Sequence, residues 1–427
     1  MNLYFWFQER INKQFLSKLQ RLNKQQEDFF MIPNASYDVI VVGAGPAGST
    51  AALYAARNGA SVLLLDKKRE IGSPIQCAGF LPDASEVQAL LPDAELPETL
   101  KIYPDSCVLQ HIKTQRIIPP NCNTKEFSVR GAVLDRRRYD QFLAEQAVTA
   151  GAEMMVKTRV TKVEGTTVEA SGIFGKHKIK AKAIIGADGP NSLVAKSKCL
   201  SWKPESKETS VAIEYQVRNV DIDPDTLEMY FGKDYVPGGY AWIFPEGEGR
   251  ANVGIGIRSG MAEKGVSAKE YLHRFMRDHP LASPKLKNAI IMNVIAGIIP
   301  VNGAPASTAT EDALIVGDAA GHIIATNGGG IPPAMIAGKI AGETAAEFAV
   351  GKCRLEEYDR RWRAQFGLAL ETSVQARQIM DGIMKSDALM NAAFKFISPE
   401  QMKVMQCGIL PGPVKLGLHA LSRGKNK

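Results

Sequence analysis

Several groups of residues in this 427-residue chain have types and spacings that could do chemistry. The run Gly43-Ala44-Gly45-Pro46-Ala47-Gly48 directly follows the apolar stretch Tyr37–Val42 and opens a helix-compatible segment, Ala47–Arg57. In such a turn the first glycine makes the tight bend. The second lets backbone approach a pyrophosphate, and the third lets helix pack closely on strand. The helix start then offers free N–H groups and partial positive charge to phosphate. Asp66 ends a second buried run, Ser61–Leu65, where a carboxylate can accept from ribose hydroxyls. These residues point to a dinucleotide and leave NAD and FAD both open. Farther along, Asp318 lies in Gly317-Asp318-Ala319-Ala320-Gly321-His322, after the buried run Ala313–Val316 and before Gly328-Gly329-Gly330-Ile331 and a helix. Tyr240, Trp242 and Phe244 alternate with smaller residues and share one face of a strand. Such a face could wall an apolar channel or fill plain sheet core.

These groups need strands and helices to position them. Tyr37–Val42, Ser61–Leu65, Ala183–Ala187 and Ala313–Val316 are short buried runs expected in one sheet, with helices over Ala47–Arg57, Asp135–Ala150 and Gly330–Val350. Strands alternating with helices favour a parallel sheet. Residues 205–260 alternate and are rich in Gly, Tyr and Val, which suggests a mixed β-sheet, and 353–427 reads as largely helical. The expected fold class is α/β, a Rossmann-like nucleotide domain with an inserted mixed β-sheet domain and a helical C-terminus. Residues 37–100, 131–200 and 296–350 form the discontinuous nucleotide domain in this reading. Residues 101–130 and 201–295 form a substrate-binding β domain, 351–427 the helical C-terminal region, and 1–34 an amphipathic extension.

Composition narrows the classes. Hydrophobic residues make up 45% and charged ones 23%, which rules out a disordered chain. The net charge of +7 comes without an interleaved aromatic and basic stripe, so no nucleic-acid partner is expected. The cysteines are scattered with no CxxC pair, which argues against a disulfide framework or a metal site and for a reducing, cytoplasmic setting. No stretch of about 18 apolar residues exists, so no span is expected. The N-terminus lacks the h-region and cleavage site of a secretory signal. It carries Leu3-Tyr4-Phe5-Trp6-Phe7 and then Ile11, Phe15, Leu19 and Leu22 at helical spacing, with Lys13, Lys18, Arg21 and Lys24 mostly off that stripe. This pattern suits peripheral contact with an anionic membrane surface, packing on the protein itself, or an extension upstream of a start at Met31.

Four stretches taken in order resemble FAD enzymes of the p-hydroxybenzoate hydroxylase fold. They are the first glycine turn, the arginine-bearing helix start Leu134-Asp135-Arg136-Arg137-Arg138-Tyr139-Asp140, Gly186-Ala187-Asp188-Gly189, and the Asp318 segment. Within that fold, three further stretches are similar to the geranylgeranyl reductase family. These are Ile71-Gly72-Ser73-Pro74-Ile75-Gln76-Cys77-Ala78-Gly79, the Tyr240-Ala241-Trp242-Ile243-Phe244-Pro245 motif followed by Gly254-Ile255-Gly256, and Thr326-Asn327-Gly328-Gly329-Gly330-Ile331-Pro332-Pro333.

The resemblance implies an FAD-dependent reductase that saturates C=C bonds of geranylgeranyl chains on archaeal-type ether phospholipids. It implies Gly43, Gly45, Ala47 and Gly48 at the pyrophosphate, Asp66 at the ribose, Cys77 and Ala78 beside the flavin, Arg136 at the phosphates and Val160 at the adenine. Asp318, Gly330 and Ile331 would meet ribitol and isoalloxazine, and Tyr240, Trp242 and Phe244 the prenyl chain. The family more often has Glu where Asp66 stands, and Gly or Glu shortly after the cysteine where Ala78-Gly79-Phe80 follows here. Saturation needs a hydride and a proton. Cys77 is the candidate proton donor, since a thiol can give a proton, although buried free cysteines are often inert. His322 is a second titratable candidate whose other reading is structural. No second GxGxxG indicates a separate NAD(P)H domain, and ferredoxin, a deazaflavin or transient NAD(P)H all remain as electron donors. The alternative function is an FAD-dependent monooxygenase or halogenase of the same fold, because fold does not fix reaction.

Overall fold

The computed structural model describes residues 35–173, 175–200, 210–409 and 412. The amphipathic stretch expected over 1–34 and the basic tail 423–427 lie outside the described residues.

Two sheets carry the fold. The first has seven strands: β1 (Ser36–Val42), β2 (Val62–Leu65), β6 (Glu153–Met155), β7 (Thr158–Glu164), β8 (Thr167–Gly172), β9 (Gly175–Gly186) and β15 (Ala313–Ile315), with path β6-β2-β1-β9-β8-β7 and β15 also on β9. The four buried runs read from the sequence therefore share this sheet. Val39 pairs with Val62 on one side and Ala183 on the other, and Gly186 pairs with Ile315, all in parallel. Strands buried on both faces read as continuous apolar runs, as Val62–Leu65 does. The sheet is nonetheless mixed, because β7, β8 and β9 pair antiparallel. Gly165, with φ +51, turns the chain between β7 and β8 too tightly for a crossover helix.

The second sheet has eight strands. These are β3 (Phe80–Pro82), β4 (Val108–Ile118), β5 (Lys125–Leu134), β10 (Ser210–Arg218), β11 (Thr226–Tyr230), β12 (Tyr240–Pro245), β13 (Arg250–Arg258) and β14 (Ile290–Ile299), ordered β14-β10-β13-β12-β11-β4-β5-β3. Strand β3 and the end of β5 thus belong to this sheet although their numbers fall in or at the edge of the ranges read as nucleotide domain. The chain passes from β5 directly into the helix Arg136–Thr149.

Alternation decides which side of the second sheet faces what. Ala241, Ile243, Val253 and Ile255 pack with Tyr271, Leu272 and Phe275 of the helix Ala268–Asp278. Trp242 and Phe244 point the other way and pack with Ile383, Met390, Ala393 and Phe394 from the C-terminal helices Leu368–Ile383 and Asp387–Phe396. Those helices close the open side of the sheet and leave a cavity between it and the first sheet.

The helix Pro46–Arg57 crosses the helix Ile331–Ala349 at very short range. A Cβ on Gly338 would stand 2.4 Å from the Ala47 carbonyl oxygen, and one on Gly342 2.3 Å from that of Ala51. Small residues at the crossing therefore set the spacing of the two helices. Their starts, at Gly45 and Gly330, both open on the same cavity.

Candidate active site

The cavity holds about 1020 Å³, at the top of the roughly 300–1,000 Å³ range of small-molecule pockets. Its wall includes every residue singled out from the sequence for cofactor or substrate except Gly48, which packs just behind it.

At one end is the glycine turn. Gly43 has φ +103, and a Cβ there would stand 2.3 Å from the Ala187 carbonyl oxygen. A Cβ on Gly48 would fall 1.8 Å from the Gly43 carbonyl oxygen, whereas one on Gly45 would meet nothing within 4 Å. Two glycines are thus required by the protein's own packing, and the third leaves open space at a helix start, which is what an approaching phosphate needs. Asp66 is buried and accepts from the Ala44 and Lys68 N–H groups, each at 2.7 Å, so the carboxylate is fixed at the cavity wall. Val160 lies on the same wall. Asp188 caps the helix Leu193–Ser197 through Oδ2, at 2.6 Å from the Leu193 N, and leaves buried Oδ1 without a partner.

Toward the middle, Arg136 starts its helix buried and paired with Asp140 at 2.9 Å. Burial works against its charge, yet Asp140 and Cys77 hold its pKa above the ordinary arginine value. Its neighbours are exposed and face elsewhere: Arg137 pairs with Glu70, and Arg138 with Asp135 at 3.4 Å. Of the three consecutive arginines, only Arg136 reaches the cavity.

Cys77 accepts at Sγ from the Gly79 N–H at 3.3 Å. Burial pushes its thiol up, against the opposing charge of Arg136, so it keeps its proton at neutral pH. Asp318 faces the cavity half-buried, and burial pushes its carboxyl up to about 6 against the same arginine. Gly330 and Ile331 stand beside it at the start of the helix. The open second glycine, the unpartnered Asp188 oxygen and the second helix start facing Asp318 together fit a flavin dinucleotide along this wall.

The far end is apolar. Tyr240 and Trp242 ring centroids lie 5.8 Å apart, and those of Trp242 and Phe244 6.3 Å. Gly254 makes room for the indole, since a Cβ there would stand 2.4 Å from Trp242 Cζ2. Trp242 Nε1 donates to Asn252 Oδ1 at 2.7 Å, and Tyr240 Oη donates to the Asn327 carbonyl. The aromatic face thus lines the cavity as well as joining the core.

His322 does not join this site. It is fully buried outside the cavity wall, its ring centroid 4.7 Å from that of Trp362, and neither ring nitrogen has a hydrogen-bond partner. Burial pushes it down to about 3, so it stays neutral.

Other wall residues were not legible beforehand. Glu214 on β10 is buried, with Oε1 lacking a partner, and burial with the nearby Glu246 charge pushes it up to about 7. Arg258 and Arg377 are buried and share Asp381, at 3.2 and 2.8 Å. In the sequence Glu214 reads as the solvent face of an alternating strand. Arg377 and Asp381 read as an ordinary i,i+4 helix pair. Only the pairing register and the covering C-terminal helices turn them inward.

Comparisons with known proteins agree with this geometry. A family model for FAD dependent oxidoreductases matches residues 38–223, and one for the geranylgeranyl reductase catalytic domain matches 208–299. The chain is thus a flavin-dependent oxidoreductase that uses FAD. A digeranylgeranylglycerophospholipid reductase of Methanothermobacter thermautotrophicus is 38% identical over 81% of this chain and 88% of its own length. A geranylgeranyl bacteriochlorophyll reductase-like protein of Thermoplasma acidophilum superposes with a TM-score of 0.79 at 29% identity, over 90% of this chain and 99% of that one. A flavin-dependent brominase, with a TM-score of 0.68 at 17% identity over 92% of this chain and 100% of that one, shares the fold alone. The chain belongs to the geranylgeranyl reductase family.

Proposed function

We propose that this enzyme saturates C=C bonds of geranylgeranyl chains on a glycerophospholipid. The observation that carries this reading is one continuous cavity with a dinucleotide cradle at one end and the Tyr240, Trp242 and Phe244 wall at the other. Bound FAD, once reduced, supplies a hydride. The protein's own part is to hold it and to exclude water around an unactivated, apolar bond. Gly43, Gly45, Ala47 and Gly48 hold the pyrophosphate, Asp66 the ribose, Arg136 the phosphates, Val160 the adenine, and Asp318, Gly330 and Ile331 the ribitol and ring. Cys77 and Ala78 stand on the ring side.

Two residues suit the lipid head. Arg258 and Arg377 both line the cavity beside Asp381, and guanidinium groups suit a phosphate. Cys77 is the proton donor: it is protonated at neutral pH and lines the cavity. Cys77→Ala is expected to retain FAD while the saturation rate falls roughly 100-fold, measured by anaerobic reoxidation of the flavin. In the wild type, dithionite-reduced enzyme is expected to reoxidise when digeranylgeranyl glycerophospholipid is added without oxygen. Turnover that requires oxygen would overturn the reductase reading and favour a monooxygenase or halogenase.

A further inference from the structure

A donor that gives up its proton in each cycle has to be recharged, and Cys77 shares the cavity wall with a buried acid, Glu214. The cross-strand register shows what lies behind Cys77. On the cavity side of the second sheet, Glu214 pairs with Gly254, which pairs with Trp242. One rung along, Gln216 pairs with Asn293 of edge strand β14 and with Asn252 of β13. The missing side chain at Gly254 is what allows Glu214 and the indole to meet, since a Cβ there would stand 2.6 Å from Glu214 Cβ.

Polar groups on this face form an inner set at Glu214 and an outer set at Gln216. The Glu214 carboxyl faces the Cys77 backbone N–H on one side and the Asn252 side chain on the other. Gln216 Nε2 donates to Glu246 Oε1 at 3.1 Å, and Asn293 Nδ2 donates to Gln216 Oε1 at 3.1 Å. Asn293 is exposed, Gln216 half-buried, and Glu246 and Glu214 buried. A buried polar row inside an apolar sheet face is costly unless it is used or fully satisfied, and Glu214 Oε1 is unsatisfied.

We propose that Glu214 returns the proton to Cys77 after each saturation and is itself recharged from water. The inference rests on the reductase reading. Bound, reduced FAD would supply the hydride for one alkene carbon, and Cys77 gives its S–H proton to the other, so the C=C bond becomes CH–CH. The thiolate then takes the proton of the Glu214 carboxyl O–H, and the carboxylate left behind takes one from water. Transfer from the carboxyl to the thiolate runs downhill, because the acid is the stronger of the two. The charged and titratable groups facing Glu214 are Cys77 from its loop, Arg136 from the helix start, Glu246 beyond β12 and Tyr240 on β12.

Two measurements on the FAD-loaded enzyme test this. The first follows lipid saturation by mass over successive turnovers with chemical reductant. In Glu214→Gln the first bond per flavin is expected to be saturated, with later ones slowed roughly 100-fold. Glu214→Asp should recover part of the later rate. The second follows alkylation of Cys77 against pH, mapped by peptide mass. Losing the Glu214 negative charge should shift the midpoint to lower pH, a change that simple repacking does not produce. Later turnovers at the wild-type rate, an equal loss of the first turnover, or an unmoved alkylation midpoint would each overturn the relay. A wild-type enzyme that saturates no bond even in its first turnover would instead overturn the reductase reading.

Discussion

At the scale of single residues, the site is a set of groups kept in unusual protonation states by the cavity they line. Glu214 gives a stability test independent of catalysis. Its ordinary value is 4.5 and the folded value is about 7. Between those pH values the folded protein holds a proton the unfolded chain has lost, so stability falls as pH rises through that window. The loss is on the order of 3 kcal/mol and is complete above about pH 7. Glu214→Gln removes it, so the cofactor-free variant should gain stability relative to wild type between pH 4 and pH 8, read from urea midpoints. A pH-independent difference would contradict the buried-acid assignment.

Residues whose chemistry depends on local spacing were readable from sequence, as with Gly43, Gly45, Gly48 and Asp66. Glu214, Arg258 and Arg377 were not. Their inward aim comes from strand register and from helices more than a hundred residues away from β10, which no local pattern encodes.

At the scale of elements, glycines set how closely the pieces approach. Gly43→Ala would bring a Cβ to 2.3 Å from the Ala187 carbonyl oxygen in a left-handed conformation. The clash forces the turn away from the place where it meets the pyrophosphate, so FAD should bind roughly tenfold more weakly, measured by the flavin-to-protein absorbance ratio on dilution. Gly254→Val would strike both Trp242 and Glu214. It should lower stability by roughly 1–3 kcal/mol in urea unfolding; an unchanged midpoint would mean that the indole is free to move away.

Element positions were mostly legible, because continuous apolar runs and caps mark them. The helix expected over Asp135–Ala150 spans Arg136–Thr149, with the Asp135 side chain accepting from the Arg137 and Arg138 N–H groups. The antiparallel β7–β8 hairpin was missed because Gly165 supplies its turn without a stronger signal in the flanking residues. The C-terminal helices were expected as helices, but their role as the cover of the cavity depends on packing that periodicity does not reveal.

At the scale of the whole molecule, one cavity joins the sheet that carries the first glycine turn to the sheet that carries Tyr240, Trp242 and Phe244, and no helix among the described residues is long and apolar enough to cross a membrane. Every residue proposed to hold FAD lies beyond residue 35, so a chain lacking residues 1–34 should take up FAD as the full chain does, checked by flavin absorbance. A drop in its sedimentation with anionic liposomes is the outcome that the membrane reading of that basic amphipathic segment predicts; unchanged sedimentation would contradict that reading.

The most direct measurement is the mass of the lipid recovered after anaerobic incubation of digeranylgeranyl glycerophospholipid with FAD-loaded, chemically reduced enzyme. The expected result is a gain of two hydrogens for each double bond consumed. A lipid of unchanged mass, with the flavin still reduced, would contradict it.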